Sequence, residues 1–267
     1  MTYSFAAIDR ETGQIGIVVQ SKAFAVGMAV PWARPKVGAI CTQANTNMKF
    51  GPDGLALLEQ GVSPKEVISR LLQEDEGRKI RQIGVLDASG QAANYTGENC
   101  MAWAGGLTGD GWTAQGNILA GPQVLEAMAA AYTEERGSLA ERLLDALKAG
   151  QEAGGDIRGM QSAALLVVGE GAQHPEGKLI DLRVDDHPKP IDELIRIYHV
   201  RKKLWDSWTG EYVEYQGDII LMTEQLMRMR QIPSLKALAE RLGIEDAIRG
   251  SKISQRFLRA IANERQK

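Results

Sequence analysis

A hydroxyl residue directly follows the initiator methionine in Met1-Thr2-Tyr3-Ser4-Phe5. Removal of Met1 leaves Thr2 with a free α-amine beside its own hydroxyl, and an amine so placed acts as the base that activates a weak oxygen nucleophile. The plain alternative is that Thr2 merely opens an edge strand, since chain termini carry little information. Other residues with chemistry to offer sit in glycine-rich loops: Asp110 in Thr108-Gly109-Asp110-Gly111, and Asp156 and Arg158 in Gly154-Gly155-Asp156-Ile157-Arg158-Gly159. Such charges either orient a polar substrate or lock their loop through a charged hydrogen bond. Asp185-Asp186-His187 invites a metal reading, but neighbours on extended chain point to opposite faces, so no metal and no cofactor is expected. No Gly-x-Ser-x-Gly elbow is present, which excludes the ordinary α/β-hydrolase serine.

The elements that must position these residues are legible from periodicity. Residues 3–8 and Gln14 to Ser21 are β-rich runs joined by the turn Asp9 to Gly13, a hairpin. Ala23 to Val30 reads as an extended segment or a bend, and Pro31 to Lys36 as a loop or sheet edge, because two prolines deny ladder hydrogen bonds. Val37 to Gln43 returns to strand. A polar, turn-rich stretch from Ala44 leads into a short helix over Leu55 to Gly61, and Ser63-Pro64-Lys65-Glu66 starts a second helix running to Gln73. A hairpin follows (Ile80 to Leu86, Gln91 to Tyr95). Thr96 to Gly111 reads as irregular, and Trp112 to Ile118 as a strand. Helices are expected over 122–133 and 138–150, strands over 161–168 and 179–184, and a helix over 191–199. Strand groups alternating with helix pairs predict an α+β fold, a four-layer α/β/β/α sandwich of two antiparallel sheets. A boundary near residue 200 separates this domain, 1–200, from a helical C-terminal extension, 201–267. The extension has helices over 219–229 and 235–242 and a basic one over 251–264. Trp205, Trp208, Tyr212 and Tyr215 are read there as a packing or subunit-contact surface.

Composition narrows the function classes. With 44% hydrophobic and 24% charged residues the chain is globular, and a net charge of -3 offers no basic field for nucleic acid. No apolar run reaches the roughly 18 residues of a membrane span, and no signal-peptide pattern is visible. Cys41 and Cys100, far apart and in no metal spacing, read as reduced thiols of a cytoplasmic protein. A homo-oligomer is expected.

Several segments together carry a family resemblance. They are Met1 to Phe5, Val30-Pro31-Trp32-Ala33-Arg34, residues 51–58 (Gly-Pro-Asp-Gly-Leu-Ala-Leu-Leu), residues 108–111, 115–121 (Gln-Gly-Asn-Ile-Leu-Ala-Gly), 154–164, and 182–188 (Leu-Arg-Val-Asp-Asp-His-Pro). In this order they resemble the bacterial and archaeal family called domain of unknown function 1028 over about residues 1–200. That family is similar in fold to the N-terminal-nucleophile hydrolases. The resemblance implies an amidohydrolase acting on a small amide, with Thr2 as nucleophile through an ester intermediate. It also implies a lysine that favours the free amine, best matched by Lys36 with Lys22 and Arg34 as rivals. Ser21 resembles the position that carries an acid in proteasome-like relatives. Oxyanion donors would be backbone N–H groups or the side-chain amides of Asn45, Asn47 and Asn117, each of which also serves as an ordinary turn former. The other reading is a non-catalytic scaffold for ligand binding or assembly. Some family members carry an added C-terminal segment suspected of binding peptidoglycan, which residues 201–267 loosely resemble.

Overall fold

The structure, a computed structural model, describes residues 2–134, 137–172, 174–209, 212–214, 218–229, 231–249, 252–254, 257, 260 and 261. In chain order the first elements are β1 (Thr2–Asp9), β2 (Gln14–Ser21), α1 (Val26–Ala29), β3 (Pro31–Arg34), β4 (Gly38–Ala44), α2 (Phe50–Glu59) and α3 (Pro64–Gln73). They are followed by β5 (Arg81–Asp87), β6 (Ala92–Thr96), β7 (Trp103–Gly109), β8 (Trp112–Leu119), α4 (Gln123–Glu134), α5 (Leu139–Glu152), β9 (Ser162–Val168), β10 (Lys178–Val184) and α6 (Pro190–Thr209). The remaining elements are β11 (Tyr212–Glu214), α7 (Asp218–Met229), α8 (Leu235–Leu242), β12 (Ile248–Arg249) and β13 (Lys252–Ser254). The chain divides into two compact units, Met1–Ile197 and Tyr198–Lys267.

The first unit is a four-layer α/β/β/α sandwich. One sheet has the order β10-β9-β2-β1-β8-β7 and the other β3-β4-β5-β6, and every pairing is antiparallel. Alternation along a strand sends successive side chains to opposite faces. On β1, Tyr3 and Phe5 therefore turn to the α4–α5 layer, where Phe5 meets Tyr132 and stacks on Trp112, while Ala6 and Ile8 turn inward. The inward set packs with Ile15, Ile17, Val19, Ala39, Cys41, Leu86 and Leu166 into an apolar core between the sheets. On the outer face of the smaller sheet, Ile40, Ile83 and Val85 pack with Phe50, Leu55, Leu58, Val67, Ile68 and Leu72 of α2 and α3. The start of α5 is fixed by a capping box in which Ser138 and Glu141 satisfy one another's backbone N–H groups.

Three local expectations are corrected. Residues 26–29, read as extended or bent, form the short helix α1, because small residues carry no strong periodicity. The helix expected from Leu55 begins at Phe50, since Gly51, Pro52 and Gly54 disguise its first turn. The stretch 96–111, read as irregular, contains the strand β7, whose glycines hide it; a Cβ at Gly106 would overlap the Asn94 side chain.

The second unit has α7 and α8 and also a three-stranded sheet of order β11-β13-β12, whose two- and three-residue strands are too short to show a period in the sequence. Leu226, Leu238, Ala239, Ile253, Phe257 and Ile261 form its core. The helix expected over 251–264 is corrected at its start, where residues 252–254 form the strand β13; the side chains of Trp205, Trp208, Tyr212 and Tyr215 and most of residues 255–264 lie outside the described residues. Among the described residues no helix is long and apolar enough to cross a membrane.

The sheets come close together where Gly84 of β5 faces Gln115 of β8: a Cβ on Gly84 would overlap the Gln115 amide. That amide is held by bonds to Ser4 and Thr113 and has nowhere to retreat. Gly84→Ala is therefore expected to lower stability by about 1–3 kcal/mol, the usual penalty for overpacking a filled interior. Urea denaturation with an unchanged m-value checks this, and a variant as stable as the parent would refute the close approach.

Candidate functional site

The inner face of β1 changes character along its length. Ile8 and Ala6 are apolar and belong to the core, but Ser4 and Thr2 continue the same face with hydroxyls. Antiparallel register brings matching polar residues alongside: Thr2 pairs with Ser21 of β2 and Asn117 of β8, and Ser4 pairs with Gln115. The opposite sheet supplies Gln43 from β4 and Gln82 from β5, themselves register partners. Thr2 is 6% exposed, and Ser4, Ser21, Gln43, Gln82 and Gln115 are fully buried. A buried amide left without partners costs roughly 1–3 kcal/mol, so such a cluster survives only if it is mutually satisfied.

It is satisfied by a continuous lattice across the two sheets. Ser4 Oγ donates to Gln43 Oε1 at 2.7 Å and accepts from Gln115 Nε2 at 2.6 Å. Gln43 Nε2 donates to Gln82 Oε1 at 2.8 Å and to the carbonyl oxygens of Thr2 and Gln115, each at 3.2 Å. Asn117 Nδ2 donates to Gln82 Oε1 at 2.9 Å and reaches the Thr2 carbonyl at 3.4 Å. Gln82 Nε2 in turn donates to Thr96 Oγ1 and to the carbonyls of Gly105 and Gly116. The Thr2 backbone is thereby pinned from the opposing sheet, and Thr2 Oγ1 lies 3.0 Å from Ser21 Oγ. Cys41 closes the apolar side of the lattice, where burial pushes its thiol up to about 12 despite hydrogen bonds from Ser4 and Gln115 that act the other way.

The loops leaving this end of the sandwich are strained and clamped. Ala44, Ala102 and Ile118 all have positive φ (68°, 53° and 53°), a conformation that a β-branched residue such as Ile118 adopts only under constraint. The Ile118 N–H donates to Met101 O, and its carbonyl accepts from Ile157 N. Asp156, 3% exposed, accepts from the backbone N–H groups of Lys22 (3.1 Å) and Arg158 (2.8 Å) and from the Arg158 guanidinium at 3.3 Å. Behind it, the Tyr3 phenol donates to Gln151 Oε1 at 3.2 Å and is held well above its ordinary range, mainly by burial and secondarily by the charge of Asp156.

The sequence-predicted residues are thus sorted. Thr2, Ser21 and Asn117 come together, and Asp156 with Arg158 fixes the adjoining loop. Asn45 is at the same end of β4, where its Oδ1 accepts from Arg81, itself paired with Asp75; Asn47 Oδ1 accepts from Lys49 N, as a turn former does. Lys36 is elsewhere. It sits in the β3–β4 turn with φ 61°, exposed and ion-paired with Glu170. Five residue steps along β4 lead from Gly38 to Gln43, about 17 Å of strand. Arg34, at the same turn, pairs with Glu59. Asp110 is on the β7–β8 turn, ion-paired with Arg10 of the β1–β2 turn, at the opposite end of β1 from Thr2. Lys22 is the rival that remains: it follows Ser21 directly, and its Nζ donates to Met160 O. Sequence reasoning missed Ser4, Gln43, Gln82 and Gln115. Their signal was polar residues at alternate positions within strands, as in Thr2/Ser4 and Thr113/Gln115/Asn117.

Comparison with known proteins agrees with the motifs. The model of the family described as "Family of unknown function (DUF1028)" matches residues 2–194. A crystal structure of a protein from Silicibacter pomeroyi, assigned to the same family, is similar at 30% identity with a TM-score of 0.70, covering 82% of this chain and 91% of that one. Anbu (ancestral beta-subunit) from Yersinia bercovieri aligns at 9% identity and a TM-score of 0.35, over 76% of this chain and 95% of that one, a likeness too weak to carry an inference. No curated protein matches the chain.

Gln43→Leu removes the node that joins both sheets to the Thr2 carbonyl. It is expected to cost on the order of 2–4 kcal/mol, since more than one buried group loses its partner. A loss below about 0.5 kcal/mol in urea denaturation, the range of an ordinary surface change, would contradict the lattice.

Proposed function

We propose, from the premise that this chain belongs to the family of unknown function DUF1028, that it is an amidohydrolase in which Thr2, freed of Met1, is the nucleophile. The observation that carries the reading is the hydroxyl pair Thr2 Oγ1 and Ser21 Oγ, 3.0 Å apart at the start of a strand whose backbone is pinned from the facing sheet. Preorganisation of that kind holds a nucleophile in one geometry at no cost during reaction.

The chemistry proceeds in two halves. The Thr2 α-amine accepts the proton of Oγ1 as the oxygen forms a bond to the carbonyl carbon of a small amide. The C–N bond then breaks, the departing amine takes up the proton, and the acyl group remains as an ester on Oγ1. Water, deprotonated by the same amine, hydrolyses the ester, releases a carboxylic acid and restores the hydroxyl. Ser21 Oγ orients the hydroxyl. Lys22, next in the chain, takes the role first given to Lys36, that of a positive charge favouring the neutral amine. Asn117 and the strained backbone of Ile118 adjoin the place where an oxyanion would form.

The second reading, a non-catalytic binding scaffold, draws on a different feature. A groove of about 810 Å³ runs between β3 and the β9–β10 edge of the larger sheet, lined by Trp32, Arg34, Leu165, Lys178, Asp181 and Arg183, away from Thr2.

Thr2→Ala separates the two. On the first reading it abolishes amide hydrolysis, by 10²-fold or more on the order of known nucleophile losses, with a stability change no larger than about 1–1.5 kcal/mol, the worth of one hydrogen bond. Thr2→Ser retains measurable turnover. Hydrolysis that persists in Thr2→Ala rules Thr2 out as nucleophile.

A further inference from the structure

The larger sheet ends on one side at β10, which pairs with β9 and, among the described residues, with no other strand. Its regular stretch is bounded at both ends. Before it, Gly177 lies so close to Pro35 that a Cβ there would overlap the proline ring, and the β9–β10 register shifts between Lys178 and Ile180. After it the strand stops at Val184, and Asp185 O accepts from Ala25 N–H. Ile180 to Val184 is thus a straight run of sheet edge, about 14 Å from end to end. An edge offers backbone donors and acceptors to a further strand, and charges of one sign or prolines discourage that pairing. Ile180-Asp181-Leu182-Arg183-Val184 has no proline, and its two charges are opposite in sign.

The segment is complementary to itself. A two-fold axis through Leu182 sets it against its own copy in antiparallel register: Leu182 opposes Leu182, Ile180 opposes Val184, and Asp181 opposes Arg183 once on each side of the axis. Axes through Asp181 or through Arg183 bring like charges together, which is unfavourable for residues directly opposite one another. Side-chain alternation agrees with this register. Asp181 and Arg183 share the face of their β9 partners Leu166 and Ala164, which belong to the core between the sheets, whereas Ile180, Leu182 and Val184 share the other face. Within one chain Asp181 already holds Arg183 through two bonds of 3.0 and 3.1 Å, and Lys178 at 3.2 Å. Self-pairing requires no vacant position on these groups, because each copy brings one acid and one base and the pairs exchange across the axis. Asp181 and Arg183 also line the groove beside β3. A second copy on β10 therefore brings its own Asp181 and Arg183 to the rim of that groove. We propose that this edge is a dimer interface, in which a second copy of the chain adds its β10 antiparallel about Leu182 and joins two six-stranded sheets into one. The interface does not involve Thr2, and its test is separate from that of the catalytic reading.

Light scattering on the full chain at micromolar concentration is expected to give twice the 29.1 kDa of one copy. Asp181→Arg leaves two cations on the edge and Arg183→Asp leaves two anions, so each is expected to weaken self-association at least about tenfold. Mixed in equal amounts the two variants are complementary in the proposed register and are expected to dimerise, as is the double exchange Asp181→Arg/Arg183→Asp. Leu182→Cys, which keeps both charges, reads the register directly. In a Cys100→Ser background, with Cys41 buried, a short bismaleimide is expected to join its two copies, whereas Lys65→Cys on the exposed side of α3 stays uncoupled. A wild-type monomer, a dimer that survives both single charge variants, single variants that remain monomeric when mixed, or a dimer that Leu182→Cys fails to cross-link overturns the interface.

Discussion

The structure depends on the lattice of side-chain amides between the two sheets. A sandwich interior is ordinarily apolar, and over Ala6, Ile8, Ile17 and Leu166 this one is. At the Thr2 end the interior is instead Ser4, Gln43, Gln82, Gln115 and Asn117, and the sheets are joined there by directional bonds. Dispersion between aliphatic chains tolerates a shift of register, whereas amides that must find specific partners do not. The lattice fixes which residue of β1 stands at the mouth of the sandwich, and it fixes the Thr2 carbonyl from across the interior.

Strain accumulates around that fixed point. Ala44 at the end of β4, Ala102 just before β7 and Ile118 within β8 all have left-handed backbones, and Asp156 pins the loop that crosses the end of β8. Such conformations persist only where the surroundings over-determine them, and the amide lattice with the Asp156 clamp supplies that constraint. Fold and candidate site are therefore one construction.

The layered architecture was legible because strand and helix periods differ and because Ser63-Pro64 and Ser138 mark helix starts. The order of strands and helix pairs, with the family motifs, points to the sandwich. The hairpin was legible, the family resemblance pointed to Ser21, and the register across the turn at residues 9–13 sets Thr2 opposite Ser21. Lys36 illustrates what does not follow: its position along the chain resembles that of an assisting lysine, but the β3–β4 turn carries it to the far end of the sandwich and to Glu170. The glutamines were unreadable for another reason. A Gln in a strand is ambiguous between a solvated face and a buried node until the opposing sheet is known, and only pairing across layers decides it.

Everything assigned to Thr2 requires its amine to be free. The most direct measurement is the mass of the N-terminal peptide of the protein purified from a host that trims methionine efficiently. A peptide beginning at Thr2 is the predicted result, and it leaves the proposed base in place beside its hydroxyl. A peptide that still begins with Met1 contradicts the nucleophile assignment, because the base on which the chemistry rests would not exist.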